Sequence, residues 1–298
     1  MALLQKGDKI ALVAPSGWFK KQDLDNALKW FEKQNLKPVI MPHAYHVDYY
    51  AAGTPKERAF DINQAFSNPE IKALFCIRGG AGSLKILDFL DYDLIQKNKK
   101  LIFGLSDSTA LQNAIYTKTK NPSYTGFLPI YDFKTNTLDS TLEQCLLNIF
   151  NSKPISYSGF DVLNSGNVKG TLIGGCLSVF MSLAGTPYFP NLKNKILILE
   201  DIGEKTYRLD LMLAQLKMQK NFHQLKAVIF GKFENCPIAD EGDGSVQDIL
   251  QNFAKDVNFP VFYNFNYGHI KSRYILPIGQ TIVLKTNCLT IPPHRKKI

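Results

Sequence analysis

The sequence predicts an α/β protein with two unlike halves, and three observations carry that expectation. Strand and helix signals alternate through the first half, whereas strand-like segments with one amphipathic helix fill the second. A length of 298 residues also exceeds what a single hydrophobic core usually organises.

The first half opens with "KIALVAP", whose unbroken aliphatic run reads as a buried strand. Leu24, Leu28 and Phe31 then share one face of a helix. "KPVIMP" is the second strand. Ala59, Ile62 and Phe66 mark the next helix, which ends before Asn68-Pro69 because a residue preceding proline avoids helical geometry. "IKALFCI" is a strand running into the glycine-rich "RGGAGS" at residues 78–83, and Leu84, Leu87 and Leu90 begin another helix. "LIFG" and the helix carrying Ala110, Leu111, Ala114 and Ile115 complete the series. This alternation implies an open parallel sheet covered by helices, a Rossmann-like N-terminal domain over residues 1–150.

A helix at 142–150 is expected to start with a capping box formed by Ser140 and Glu143. Residues 151–166 hold turn formers without a sustained period and read as a linker. Residues 167–298 then read as a smaller, β-rich domain of mixed α/β character. Its strand candidates are "VKGTLIGG", "KILILED", "KAVIFGKF", "FPVFYNFNYGH" and "TIVLKTNCLTI", and its helix carries Leu209, Met212, Leu213 and Leu216.

The bulk chemistry narrows the function classes. The net charge of +9 comes from scattered lysines, without a basic helix, an aromatic-interleaved patch or a zinc-finger spacing, so no nucleic-acid partner is expected. The "HRKK" end reads as a solvated tail. Cys76, Cys145, Cys176, Cys236 and Cys288 form no CxxC pair, which suits a reducing compartment. The N-terminal apolar stretch is broken by Lys6, Asp8 and Lys9, and the apolar region at 171–189 is interrupted by glycines, serines and Pro187. Neither reads as a signal peptide or a membrane span, so a cytoplasmic location is expected. No metal-ligand spacing occurs, and "RGGAGS" lacks the patterns of a P-loop or a dinucleotide fingerprint, so no metal or cofactor is expected.

Within this frame a few residues stand where chemistry collects. Ser106, in "LIFGLSDSTALQ", lies on the turn between a strand and a helix, the position of a helix cap or of a nucleophile elbow. Asp107 and Ser108 cap a helix equally well, so the fold does not need Ser106 for that purpose. Glu200 follows the apolar run at 196–199, at the expected edge of a buried strand. His269 follows Gly268 at the end of an apolar run, where both a surface loop residue and a general base are open readings. Bare amides of "RGGAGS" suit either an anion or the oxyanion of a tetrahedral intermediate.

These pieces, taken with "IALVAPSG", "AAGTPKERAFDINQAFSNPEIKALFCIRGGAGS", "GTLIGGCLSVFMSLAGTPYFP", "ILILEDIGEKTYRLDLMLAQL" and "GHIKSRYILPIGQ", resemble in order and spacing the serine LD-carboxypeptidases, a family that includes the microcin C self-immunity hydrolases. The resemblance implies Ser106 as nucleophile, His269 as general base and acid, and Glu200 as the residue orienting His269. It places the oxyanion hole on the amides of Gly80 and Asp107, in a cleft between the two domains. It further implies a murein tetrapeptide as substrate, removal of its terminal D-alanine during cell-wall recycling, and a homodimer. A free carboxylate is best met by arginine, and Arg78 and Arg208 are the candidates. Ala81 and Cys176 depart from the family pattern, where an aromatic residue and an asparagine are common. Two other readings remain open: an immunity-type hydrolase of peptidyl- or aminoacyl-nucleotide amides, and a non-catalytic protein binding an anionic ligand through "RGGAGS".

Overall fold

The computed structural model describes residues 3–135 and 137–293; the "HRKK" segment lies outside them. The first half contributes five strands: β1 (Lys9–Val13), β2 (Lys37–Ile40), β3 (Ile71–Cys76), β4 (Leu101–Gly104) and β5 (Ser123–Thr125). Between and after them lie helices α1 (Asp25–Lys33), α2 (Pro55–Ser67), α3 (Tyr92–Lys97), α4 (Ser108–Thr119), α5 (Pro129–Asp132) and α6 (Ser140–Phe150). The second half adds β6 (Ile155–Tyr157), β7 (Asp161–Asn164), β8 (Val168–Cys176), α7 (Leu177–Met181), β9 (Lys195–Ile202) and α8 (Thr206–Lys217). It ends with β10 (Ala227–Glu234), α9 (Val246–Lys255), β11 (Val261–Tyr263), β12 (Leu276–Ile278), β13 (Thr281–Lys285) and β14 (Cys288–Ile291).

Strands β2-β1-β3-β4-β5 pair in that order, all parallel, as the alternating sequence pattern requires. The chain reverses its direction of strand addition at β1, so the crevice beyond the carboxyl ends of β1 and β3 is the natural place for a ligand. The sixth strand of this sheet is β12, antiparallel to β5 and supplied by the second half. In the eight-stranded second sheet, β8, β9, β10 and β11 are parallel at the centre, and antiparallel strands flank them. Its central strand β9 buries Ile196, Ile198, Leu197 and Leu199 completely, each worth about 2 kcal/mol of transfer free energy.

Several local expectations are corrected. Residues 151–166 are not a bare linker: they contain β6 and β7, which form the two opposite edges of the second sheet. Short edge strands carry little period, so turn residues dominated their sequence signal. Leu84, Leu87 and Leu90 do not begin an α-helix. Leu84 and Leu87 belong to a 3₁₀ helix, Ser83–Phe89, with Leu90 at its C-cap, and Asp91 then starts α3 separately by accepting the Leu94 amide at 2.9 Å. At α6 the cap is Asp139, whose Oδ1 accepts the Thr141 and Leu142 amides, while Glu143 instead accepts the Trp30 indole N–H at 2.8 Å.

The two sheets are joined through α4. Asn113, fully buried, donates to the Gly174 carbonyl at 2.9 Å and accepts the Gly174 amide at 3.1 Å. One turn earlier, Thr109 Oγ1 accepts the Cys176 amide at 3.0 Å. The helix that starts behind Ser106 is thereby bonded to the strand beside Glu200.

Candidate active site

Ser106 occupies a strained turn. β4 stops at Gly104 and α4 starts at Ser108, and between them Ser106 has φ +63°, a left-handed value uncommon for a residue with a side chain. Its carbonyl accepts the Thr109 amide at 2.9 Å, and Ser108 Oγ donates to the Leu105 carbonyl at 2.9 Å, so the turn is fixed without the Ser106 side chain. Ser106 makes no capping bond, and Asp107 occupies the cap position without using its side chain as a cap. That carboxylate turns inward instead, accepting the Ser83 amide at 2.8 Å, while Ser83 Oγ donates to the Asp107 carbonyl. Burial pushes the Asp107 carboxyl up from its ordinary range, opposed by these hydrogen bonds and by Arg58.

The glycine-rich loop is thus sewn to the Ser106 turn. Arg58 holds it from the other side, donating to the carbonyls of Pro15, Gly53 and Gly82. Among the described residues neither the Gly80 nor the Asp107 amide donates a hydrogen bond. Gly79 has no room for a side chain: a Cβ there would lie 2.9 Å from Ser106 Cβ and 3.1 Å from its Oγ. Gly79→Ala is therefore expected to displace the serine hydroxyl and lower kcat about 100-fold. Steady-state kinetics beside a thermal melt would separate this from loss of fold.

Glu200 and His269 come from the second half. Glu200 lies inside β9 rather than beyond its end, with its side chain fully buried. Its Oε2 is 2.8 Å from His269 Nδ1, and its Oε1 has no partner among the described residues. Burial raises the Glu200 carboxyl above its ordinary range, and the bond and charge of His269 pull it back. His269 is not at a strand end: β11 stops at Tyr263, and residues 264–275 are irregular until β12 begins. Gly268 has φ +132°, and a Cβ there would stand 3.0 Å from Glu200 Oε2, so only glycine lets this backbone approach the carboxylate.

Ser106 and His269 line one cavity of about 380 Å³, together with Arg78, Gly79 and Gly80. Arg78 donates to the Trp18 carbonyl at its rim. Arg208 is elsewhere: it is exposed on α8, where its Nε donates to Glu204 at 2.7 Å, and it does not line this cavity. The cavity walls also include Asp23, Tyr131 and Lys134, which sequence reasoning did not single out. Their neighbours in the chain carry no motif: Asp23 lies in the 3₁₀ turn Lys21–Leu24, Tyr131 in α5, and Lys134 just beyond α5. Cys176 pairs in register with Glu200, donates from Sγ to Asp201 at 3.3 Å, and has its thiol pushed well up by burial and by both carboxylates. It is a poor nucleophile. His43 and His46 are bonded to Asp61 at 2.7 Å and Glu57 at 3.0 Å, and neither lines this cavity.

Among the described residues no helix is long and apolar enough to cross a membrane. Sequence patterns of the LD-carboxypeptidase N-terminal domain match residues 10–126, and those of the LD-carboxypeptidase C-terminal domain match residues 169–284. The chain is 30% identical over 288 residues to a probable murein peptide carboxypeptidase of Bacillus subtilis, covering 95% of this chain and 90% of that one. It is 29% identical to the murein tetrapeptide carboxypeptidase of Pseudomonas aeruginosa, covering 94% of each. A crystal structure of a MccF-like protein from Bacillus anthracis superposes with a TM-score of 0.88 at 30% identity, covering 98% of both chains. An α/β chain of two mixed sheets whose halves match both domains of one hydrolase family belongs to the LD-carboxypeptidases.

Proposed function

We propose that this protein is a serine-type LD-carboxypeptidase that removes the terminal D-alanine from murein tetrapeptides in the cytoplasm during cell-wall recycling. The observation that carries the reading is the bond between buried Glu200 and His269, in a cavity that His269 shares with the strained Ser106. The names of the two curated carboxypeptidases support the substrate class.

In this reading His269 Nε2 takes the Ser106 proton as Oγ attacks the carbonyl between the diamino acid and D-alanine. The amides of Gly80 and Asp107 receive the oxyanion, and Glu200 balances the imidazolium. His269 then protonates the departing D-alanine nitrogen, and a water activated by the same imidazole releases the tripeptide. Arg78 and Lys134 supply positive charge for the substrate's free carboxylate. Arg208, paired with Glu204 outside the cavity, has no part in this scheme. A homodimer is part of the proposal only as an inference from the family.

The test offers purified protein L-Ala-γ-D-Glu-meso-diaminopimelate-D-Ala, its terminal L-alanine counterpart, and an aminoacyl-nucleotide amide. Mass spectrometry follows the products. Release of D-alanine alone supports the reading. Cleavage of the nucleotide amide alone would establish the immunity-type hydrolase, and ligand binding without turnover a non-catalytic role.

A further inference from the structure

We propose that Arg273, clamped to Asp132 and covered by Tyr131, is a positioning residue that fixes His269 relative to Ser106. The inference rests on the reading of His269 as the general base. Glu200 sets the direction of the imidazole, but it belongs to the second sheet and Ser106 to the first. Something must also set the distance between them, because His269 rides on an irregular segment that passes from β11 in one sheet to β12 in the other.

Two bonds hold this segment's backbone directly, and others tie the same side chains to the first sheet's side of the site. Tyr131 Oη donates to the His269 carbonyl at 2.8 Å, and Arg273 Nη1 donates to the Ile270 carbonyl at 2.6 Å. Arg273 Nε donates to the Gly126 carbonyl at 2.9 Å, and Nη2 reaches both oxygens of Asp132 at 2.6 and 2.8 Å. Asp132 is itself held by the Leu128 amide at 2.8 Å, and the Tyr131 ring lies 5.2 Å from the guanidinium carbon. Gly126, in turn, donates its amide to the Gly104 carbonyl at 2.8 Å, two residues before Ser106. A continuous path of short bonds therefore joins the nucleophile's turn to the base's backbone without passing through Glu200.

The energetics favour a positional role. The Arg273 and Asp132 side chains are 0% and 2% exposed. A fully buried ion pair is seldom a better source of stability than apolar side chains of the same volume, because desolvation offsets its attraction. What it does supply is fixed geometry, and here each guanidinium donor has a separate acceptor on a different part of the site. The same cation also favours the ionised form of Glu200.

The experiment uses wild type, Tyr131→Phe and Arg273→Lys. It measures kcat and KM for D-alanine release, the second-order rate of Ser106 phosphonylation by a fluorophosphonate, and the unfolding midpoint. Phosphonylation needs the nucleophile and its base but not the natural substrate. We expect both variants to lose about tenfold or more in kcat and in phosphonylation rate, with KM within about twofold. Tyr131→Phe, which deletes one hydroxyl, should do so with its melting point retained, so an unfolded Arg273→Lys protein would not remove the test. Wild-type phosphonylation rates in a folded Tyr131→Phe would overturn the proposal, as would a loss confined to KM. If wild type is phosphonylated yet releases no D-alanine, the substrate reading fails while the clamp is still judged by phosphonylation. If wild type is not phosphonylated at Ser106, the base reading fails and the clamp with it.

Discussion

Ser106→Ala is expected to reduce D-alanine release by about 10⁴- to 10⁶-fold while leaving the fold and substrate binding intact. The hydroxyl lies on a turn held by backbone bonds and by the Ser108 hydroxyl, so deleting the Ser106 Oγ removes no hydrogen bond that holds the turn. Alanine meets the same steric demand as serine at φ +63°, and the unfolding midpoint should stay within about a degree or two. The cavity, Arg78 and Lys134 are untouched, so the variant should still bind the tetrapeptide. Cys176 gives no alternative route, because its buried thiol resists ionisation. A coupled D-alanine assay measures the rate, and calorimetry measures binding to the inactive variant.

Glu200→Gln is the second large effect, expected at about 10⁴-fold in kcat. In the proposed mechanism the carboxylate accepts His269 Nδ1–H and neutralises the imidazolium formed as Ser106 attacks; glutamine has the same shape but no charge. Its NH₂ group can also face Nδ1 and favour the wrong tautomer. Stability should move the other way, and the sign follows from burial. Glu200 titrates higher in the folded protein than in the unfolded chain, so the folded state binds that proton more tightly. Its contribution to stability is therefore lost as pH rises from the ordinary carboxyl range through the raised folded value. In neutral solution the glutamine variant is free of that penalty. It should melt no lower than wild type, and any advantage should shrink on acidification. The wild-type rate should fall with decreasing pH as Glu200, whose carboxyl burial raises, takes up a proton. Melting curves and pH–rate profiles of both proteins check each part. A glutamine variant with wild-type kcat would remove Glu200 from the mechanism.

The parts of this site legible in the sequence are those whose signal is local. Ser106 was visible because an apolar strand, a turn and a helical pattern lie within a dozen residues. Glu200 was visible as a carboxylate interrupting a buried apolar run, although the strand continues through it to Ile202. His269 is ambiguous in the sequence, since an irregular segment has no period to read. Arg273 left no trace, because arginine in a polar sequence context reads as surface; its partner Asp132 is 141 residues away. The return of β12 to the first sheet escaped for the same reason: three residues carry almost no pattern, and the pairing with β5 is set by tertiary packing.

The central claim is that Ser106 forms a covalent acyl-enzyme with the tripeptide portion of its substrate. It is tested most directly by acid-quenching the enzyme during turnover of the tetrapeptide and mapping adducts by peptide mass spectrometry. The account predicts a tripeptide acyl group on the peptide containing Ser106, and neither adduct nor D-alanine release from Ser106→Ala. D-alanine release by Ser106→Ala at the wild-type rate would contradict it.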